Sequence, residues 1–230
     1  RAENAVVGVS TGGLDQRISL FGQAGHALAI DFAEDSATLV PFDIAARGLA
    51  ILIMNTNAPH RLNDGQYAAR RAVIDGVTAD LGVSSLRYAK DAEADSARWA
   101  QANGQDPQQV AARVRHVVSE IARTAEAIQQ ISGGDVEAFG RSMQGSHASL
   151  RDDYEVTVPE LDTAVDMAME QGALGARMTG GGFGGSAIAL LREDRVEATA
   201  QAVAEAFAKK GFNEPEFVVA LPSDGAHRNA

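Results

Sequence analysis

The chain has 230 residues, a formal net charge of −11 and no cysteine. The length fits one large domain or two small ones. The acidic balance argues against nucleic acid or an anionic membrane as the main partner, and without cysteine there are no disulfides, thiolate nucleophiles or cysteine-bound metals. Apolar residues make up 45%, enough for a sizeable core. The missing cysteine fits a reducing cytoplasm, and no apolar run is long enough to span a bilayer.

The sequence opens at Arg1 with a run to Val7 that reads as a helix already under way, without a capping residue. The chain is therefore expected to be the later part of a longer protein. After the Ser10–Gly13 loop, Leu14 to Phe21 reads as a short helix, with Leu14, Ile18 and Phe21 at helical spacing on a buried face. His26 to Phe32 alternates as a strand, and Ala37 to Phe42 is its hairpin partner. Gly48 to Met54 is continuously apolar, the pattern of a strand at the centre of a sheet. A loop from Asn55 to Pro59 leads to a helix from Asp64 to Leu81.

Lys90 to Asp95 reads as an exposed connection. Asp106-Pro107 starts a helix with proline at its first position, and periodic apolar residues from Val110 to Ile128 carry it to Gly133-Gly134. Further helices cover Val136 to Leu150 and the stretch from Pro159 to near Gly172. A glycine run and its strand follow, then a helix from Arg195 to Lys210 and a last strand from Glu216 to Leu221. The tail from Ser223 is expected to be loose. Strand, helices, strand, helix, strand suits an α+β sandwich.

The glycine run holds the chemistry. Five glycines fall in the six positions 180–185, followed at once by the apolar strand Ser186–Leu191. Glycine this dense costs conformational entropy and is kept where backbone must come close to something. That something is an anion or phosphate held by amide N–H groups, or, more simply, the backbone of a tight turn between buried strands.

Four stretches, in order along the chain, resemble the GHMP kinases in the form that galactokinases use: Gly12-Gly13-Leu14-Asp15-Gln16; Gln66-Tyr67-Ala68-Ala69-Arg70-Arg71; Ser146 to Val156 running into Pro159-Glu160-Leu161-Asp162; and Arg177-Met178-Thr179-Gly180-Gly181-Gly182-Phe183-Gly184-Gly185. The resemblance implies a remainder of an N-terminal α/β domain of the ribosomal protein S5 domain 2-like type, residues 1–45. It implies a ferredoxin-like C-terminal domain over 46–222, with 223–230 as a disordered tail. It implies transfer of the ATP γ-phosphoryl group to the C1 hydroxyl of α-D-galactose in the cytoplasm, with Asp15 as catalytic carboxylate. Gly12 and Tyr67 would contact the sugar, and Thr179, Gly180, Gly181 and Gly182 would form the loop near the transferred phosphoryl. ATP and Mg2+ are the implied cofactors. No metal ligand is assigned in this chain, because the early sugar-binding motif and the ATP loop are absent from it. That absence predicts a piece with no activity alone, completed by the missing N-terminal segment. A catalytically silent sugar and ATP sensor that binds a regulatory partner is the second reading. Another GHMP sugar kinase, such as one for N-acetylgalactosamine, is the third.

Other residues have blander readings beside these. Asp15 suits the first turn of a helix, where the dipole favours a carboxylate. Tyr67 can be an amphipathic helix residue. Arg70 and Arg71 read as a solvated face. His116 and Glu120 have the i, i+4 spacing of zinc ligands, but without a third ligand they read as a surface pair. Asp152 and Asp153 are expected to engage backbone or Arg151, and Trp99 to pack.

Overall fold

The computed structural model describes residues 13–59 and 64–226. Arg1–Val7 and Gly12 lie outside the described residues. The chain divides into two units, residues 1–47 with 221–230, and residues 48–220.

In the first unit, helix α1 (Leu14–Phe21) starts at Gly13, whose φ of 78° is left-handed. Strands β1 (His26–Asp31) and β2 (Ser36–Pro41) pair as an antiparallel hairpin with His26 opposite Pro41. Asp31 Oδ1 accepts from the amides of Ala33 and Glu34 at 2.9 and 3.2 Å, which closes the turn. Arg17 ties α1 to this turn: it pairs with Asp35 and lies over the Phe32 ring, 4.9 Å from its centroid. The apolar stripe of α1 exists but is not buried among the described residues: Leu14, Ile18 and Phe21 are all exposed. Periodicity specifies a face, and a face is buried only where another element covers it. The tail expected to be loose from residue 223 is hydrogen-bonded as far as Ala226. The Gly225 amide donates to Gly22 O at 2.8 Å, the Ala226 amide to Ser19 O at 2.6 Å, and Asp224 accepts from the Ala24 amide at 2.8 Å.

The second unit begins with β3 (Leu49–Asn55), the apolar strand, whose Leu49, Ala50, Leu52 and Met54 are buried. Five helices follow: α2 (Asp64–Asp80), α3 (Ala92–Ala102), α4 (Pro107–Gly133), α5 (Val136–Asp152) and α6 (Pro159–Glu170). Then come β4 (Gly175–Thr179), β5 (Ser186–Arg192), α7 (Val196–Lys210) and β6 (Glu216–Ala220). The four strands form one sheet in the order β4-β5-β3-β6, antiparallel throughout. Taken in chain order within the unit, the sheet reads fourth, first, third, second, the ferredoxin-like arrangement.

Two elements differ from the sequence reading. β4 is a strand of its own, where Ala176–Thr179 reads as the start of the glycine run. Four of the six residues of the expected connection at 90–95 are helix, since α3 starts at Ala92, which is buried.

The sheet core gathers Leu52, Met54, Met178 and Leu191 from the strands with Leu161 of α6 and Phe207 of α7. A second core joins Val73 and Val77 of α2, Leu86 between α2 and α3, Ala92 and Ala100 of α3, and Val110 and Val114 of α4. Trp99 of α3 packs against α2 at Gly76, where any Cβ would overlap the indole. Helix α5 runs along the free edge of β4. There Gly140 and Gly175 meet backbone to backbone, and a Cβ on either would overlap the other strand or helix. Two α5 side chains complete the edge: His147 Nδ1 accepts from the Met178 amide at 3.2 Å and Gln144 Nε2 donates to Leu174 O at 3.1 Å. An edge strand covered by a helix is protected from pairing with another chain. Nε2 of His147 lies 3.2 Å from Asp162 Oδ1, but the two do not align as a hydrogen bond.

Candidate functional site

Thr179 of β4 pairs with Ser186 of β5, so the glycine run is the connection of a hairpin. Its backbone departs far from an ordinary turn. Gly180, Gly182, Gly184 and Gly185 all have positive φ, at 87°, 86°, 128° and 82°. Phe183 does too, at 61°. A bulky residue in that region costs of order 1–3 kcal/mol, so the surroundings must hold it there.

They do so from two sides. At the β5 end, the buried Thr56 donates both its amide and its hydroxyl to Gly185 O, at 2.9 and 2.7 Å. Thr56 belongs to a braced turn at the end of β3, in which Asn57 Nδ2 donates to Glu214 O at 3.0 Å and Asn213 Nδ2 to Asn57 O at 2.6 Å. At the other side the loop rests on Val156. The Phe183 amide donates to Val156 O at 2.7 Å. A Cβ on Gly182 would lie 2.7 Å from Val156 Cβ and closer still to its carbonyl oxygen. Toward the outside the loop is bare. A Cβ on Gly180 or Gly181 would meet nothing within 4 Å.

The segment under the loop is itself pinned. Arg70, only 7% exposed, donates from Nε to Tyr154 O at 2.7 Å and from Nη2 to Glu155 O at 2.8 Å. Its guanidinium also lies over the Phe183 ring, 5.0 Å from the centroid. Burial, and next the charge of Arg113, lower the Arg70 pKa, but a guanidinium stays protonated. Arg113 is buried as well, with its Nε unpartnered among the described residues. Arg70 thus corrects the expectation of a solvated pair. Arg71 alone points outward, in an exposed pair with Asp75 at 2.8 Å.

Tyr67 stands one turn before Arg70 on α2 and is 48% exposed. It is near enough to Tyr154 for its charge to raise the Tyr154 pKa, after the larger effect of burial. Tyr154 stacks on His116, centroids 4.4 Å apart. His116 is buried rather than part of a surface pair. Its Nδ1 is 3.0 Å from Ser149 Oγ, which donates to Asp153 Oδ2 at 2.9 Å. Burial holds the His116 pKa below the ordinary histidine value, against the opposing pull of Glu120 and Asp153. Glu120 is engaged elsewhere, by Arg123 and by the Ser146 hydroxyl at 2.6 Å. Among the described residues no three His, Asp or Glu side chains converge as metal ligands. Asp152 pairs with Arg151 at 2.8 Å, and Asp153 with Arg115 at 2.7 Å.

The predicted site residues therefore fall as follows. Gly180, Gly181 and Gly182 share the loop, Thr179 is the last residue of β4 at its foot rather than part of the loop, and Tyr67 lies on the helix whose Arg70 grips the segment beneath it. Asp15 belongs to the first unit, exposed in the first turn of α1, with no hydrogen bond or ion pair among the described residues. Gly12 is outside the described residues. Sequence reasoning missed Arg70, Thr56 and the 154–156 segment. The signal for Arg70 was available: with Val73 and Val77 it lies on the buried stripe of α2.

Residues 124–209 match the family described as GHMP kinases C terminal. Over 228 residues the chain is 44% identical to a galactokinase of Streptomyces coelicolor, covering 99% of this chain and 58% of that protein. A galactokinase of Bos taurus is 41% identical over 227 residues, 98% of this chain and 55% of that protein. Among solved structures, the crystal structure of Lactococcus lactis galactokinase complexed with galactose has a TM-score of 0.83 and 37% identity, over 97% of this chain and 57% of that one. The chain spans a little over half the length of these relatives.

Proposed function

The chain belongs to the GHMP kinase family, and on that footing we propose that it forms part of a galactokinase, moving the γ-phosphoryl group of ATP to the C1 hydroxyl of α-D-galactose. The observation that carries the reading is Gly181. It has neither the left-handed φ nor the crowded Cβ position that explains its neighbours. Its bareness serves nothing within the described protein, which suits close approach by a ligand. Backbone amides without side chains are what a phosphoryl group with charge on its oxygens needs.

In this reading Asp15 is the catalytic carboxylate. Its exposed, uncommitted oxygens can accept the C1 hydroxyl proton or orient that hydroxyl. A loose phosphoryl transition state asks little base strength of it. Tyr67, half exposed, offers a ring face to the pyranose and a hydroxyl to its polar groups. Gly12 approaches the sugar by its backbone. ATP brings Mg2+, held mainly by phosphates and by residues outside this chain. The chain by itself is then expected to release no ADP.

The test is galactose-dependent ADP formation by the full-length protein that contains this chain. Asp15→Ala should lower kcat by about a thousandfold and leave thermal unfolding unchanged. Near-normal turnover would remove Asp15 from the mechanism. Phosphorylation of N-acetylgalactosamine but not galactose by the unaltered protein would move the assignment to another sugar.

A further inference from the structure

The glycine loop has one feature that its own sequence does not explain: Phe183 in a left-handed conformation. The explanation lies on another element. Arg70 sits at the head of the apolar stripe of α2, ahead of Val73 and Val77. Burying a guanidinium is costly unless its donors are satisfied. Arg70 satisfies them with carbonyls: Tyr154 O, Glu155 O, and Gln66 O of its own helix at 3.2 Å. The Arg113 charge nearby makes the placement less favourable still.

What the placement achieves is a double grip. The two carbonyls belong to a turn in which Glu155 is itself left-handed, at φ 55°. The next residue, Val156, receives the Phe183 amide and abuts Gly182. The same guanidinium lies over the Phe183 ring. Hydrogen bonds from a charged donor and a cation on an aromatic face are each among the stronger interactions of their kind. We propose that Arg70 is the positioning residue of the glycine loop: it fixes the 154–156 bed and the Phe183 ring together, and so sets where Gly180–Gly182 stand. It touches no reacting atom in this account. Its importance for phosphoryl transfer rests on the galactokinase reading; its hold on the loop does not.

Amide hydrogen exchange on the full chain tests the hold. Arg70→Met keeps the stem and removes the charge and the fork. The Phe183 and Val156 amides should then exchange at least about tenfold faster, while the Ala189 amide in the sheet stays at its original rate. Arg70→Lys keeps a cation for the ring but not two aligned donors, so it should fall between. Phe183→Leu removes the ring alone and should loosen the residue-183 amide but not Val156. If Arg70→Met does not fold, the last two variants decide. Unchanged exchange at residue 183 in the variants that fold would overturn the proposal.

Kinetics supplies the second arm, in the full-length protein. Arg70→Met should lower kcat by about tenfold or more, with KM for galactose within about twofold. A fall in apparent kcat through unfolding alone would show as a loss of active fraction with kcat per folded molecule unchanged, and would count against positioning. If exchange responds as expected but the unaltered protein phosphorylates no galactose, the grip stands and the galactokinase reading fails.

Discussion

Glycine does two different jobs in the second unit. At Gly140, Gly175 and Gly182 the missing Cβ makes room for protein: helix against strand in the first two, loop against Val156 in the third. At Gly180 and Gly181 it makes room for nothing that the described chain contains. The first group is explained by packing, where close contact leaves no slack for even one methyl. Within the second group Gly180 is accounted for by its left-handed φ, so Gly181 is the one that asks for a ligand. The difference also separates what holds the loop from what the loop presents: its inner side is held by Thr56, Val156 and Arg70, and its outer rim is bare.

Substitution to alanine should split the two groups. Gly140→Ala drives a methyl into the Leu174 carbonyl, and neither a helix backbone nor a strand edge can yield cheaply. We expect a loss of about 3 kcal/mol in urea unfolding. Gly182→Ala combines a left-handed φ with a clash at Val156 and should lose about 2 kcal/mol. A cost near zero at Gly140 would mean that α5 can slide along β4, and the packing side of the comparison would fail.

Acid should sharpen the same contrast from beneath. The bed of the loop includes Tyr154, which stacks on a buried His116 whose pKa is lowered by burial. Between that lowered value and the unfolded value of about 6.5, the unfolded chain binds a proton that the native state does not. Stability contributed by neutral His116 is therefore complete above about pH 6.5 and falls as pH drops through this window. His116→Gln keeps a side chain able to reach Ser149 but cannot titrate. Between about pH 8 and pH 5, its unfolding midpoint should fall less steeply than that of the unaltered protein. Equal slopes would show that His116 does not stay neutral in the native state.

Much of this architecture could be read beforehand, and the exceptions have physical reasons. The continuously apolar β3 and the 3.6-residue rhythm of α4 announce themselves because burial and side-chain identity are directly linked there. β4 does not: Gly175, Arg177 and Thr179 are glycine or polar, and the strand exists because β5 pairs on one side and α5 closes the other. Arg70 was hidden by its charge, since the usual rule puts arginine outside, and its acceptors are backbone carbonyls, which any residue could supply. The loop was visible as a glycine run, but glycine is one letter for three demands: a left-handed φ, a crowded neighbour and an absent ligand. Only coordinates distinguish Gly182, which faces the first two, from Gly181, which faces neither.

That distinction makes Gly181→Ala the smallest expected change in stability and the most informative. Its φ lies outside the left-handed region and the added methyl meets no atom within 4 Å. Unfolding free energy should stay within about 0.5 kcal/mol of the original. On the proposed galactokinase reading, turnover of galactose by the full-length protein should nonetheless drop by about a hundredfold, because a methyl on the rim would displace a phosphoryl group approaching the backbone and shift it from in-line geometry. Stability and turnover both unchanged would mean that no ligand approaches this rim. A large loss of stability would mean instead that Gly181 belongs with Gly140, and that the bare rim is packed against something in the intact protein.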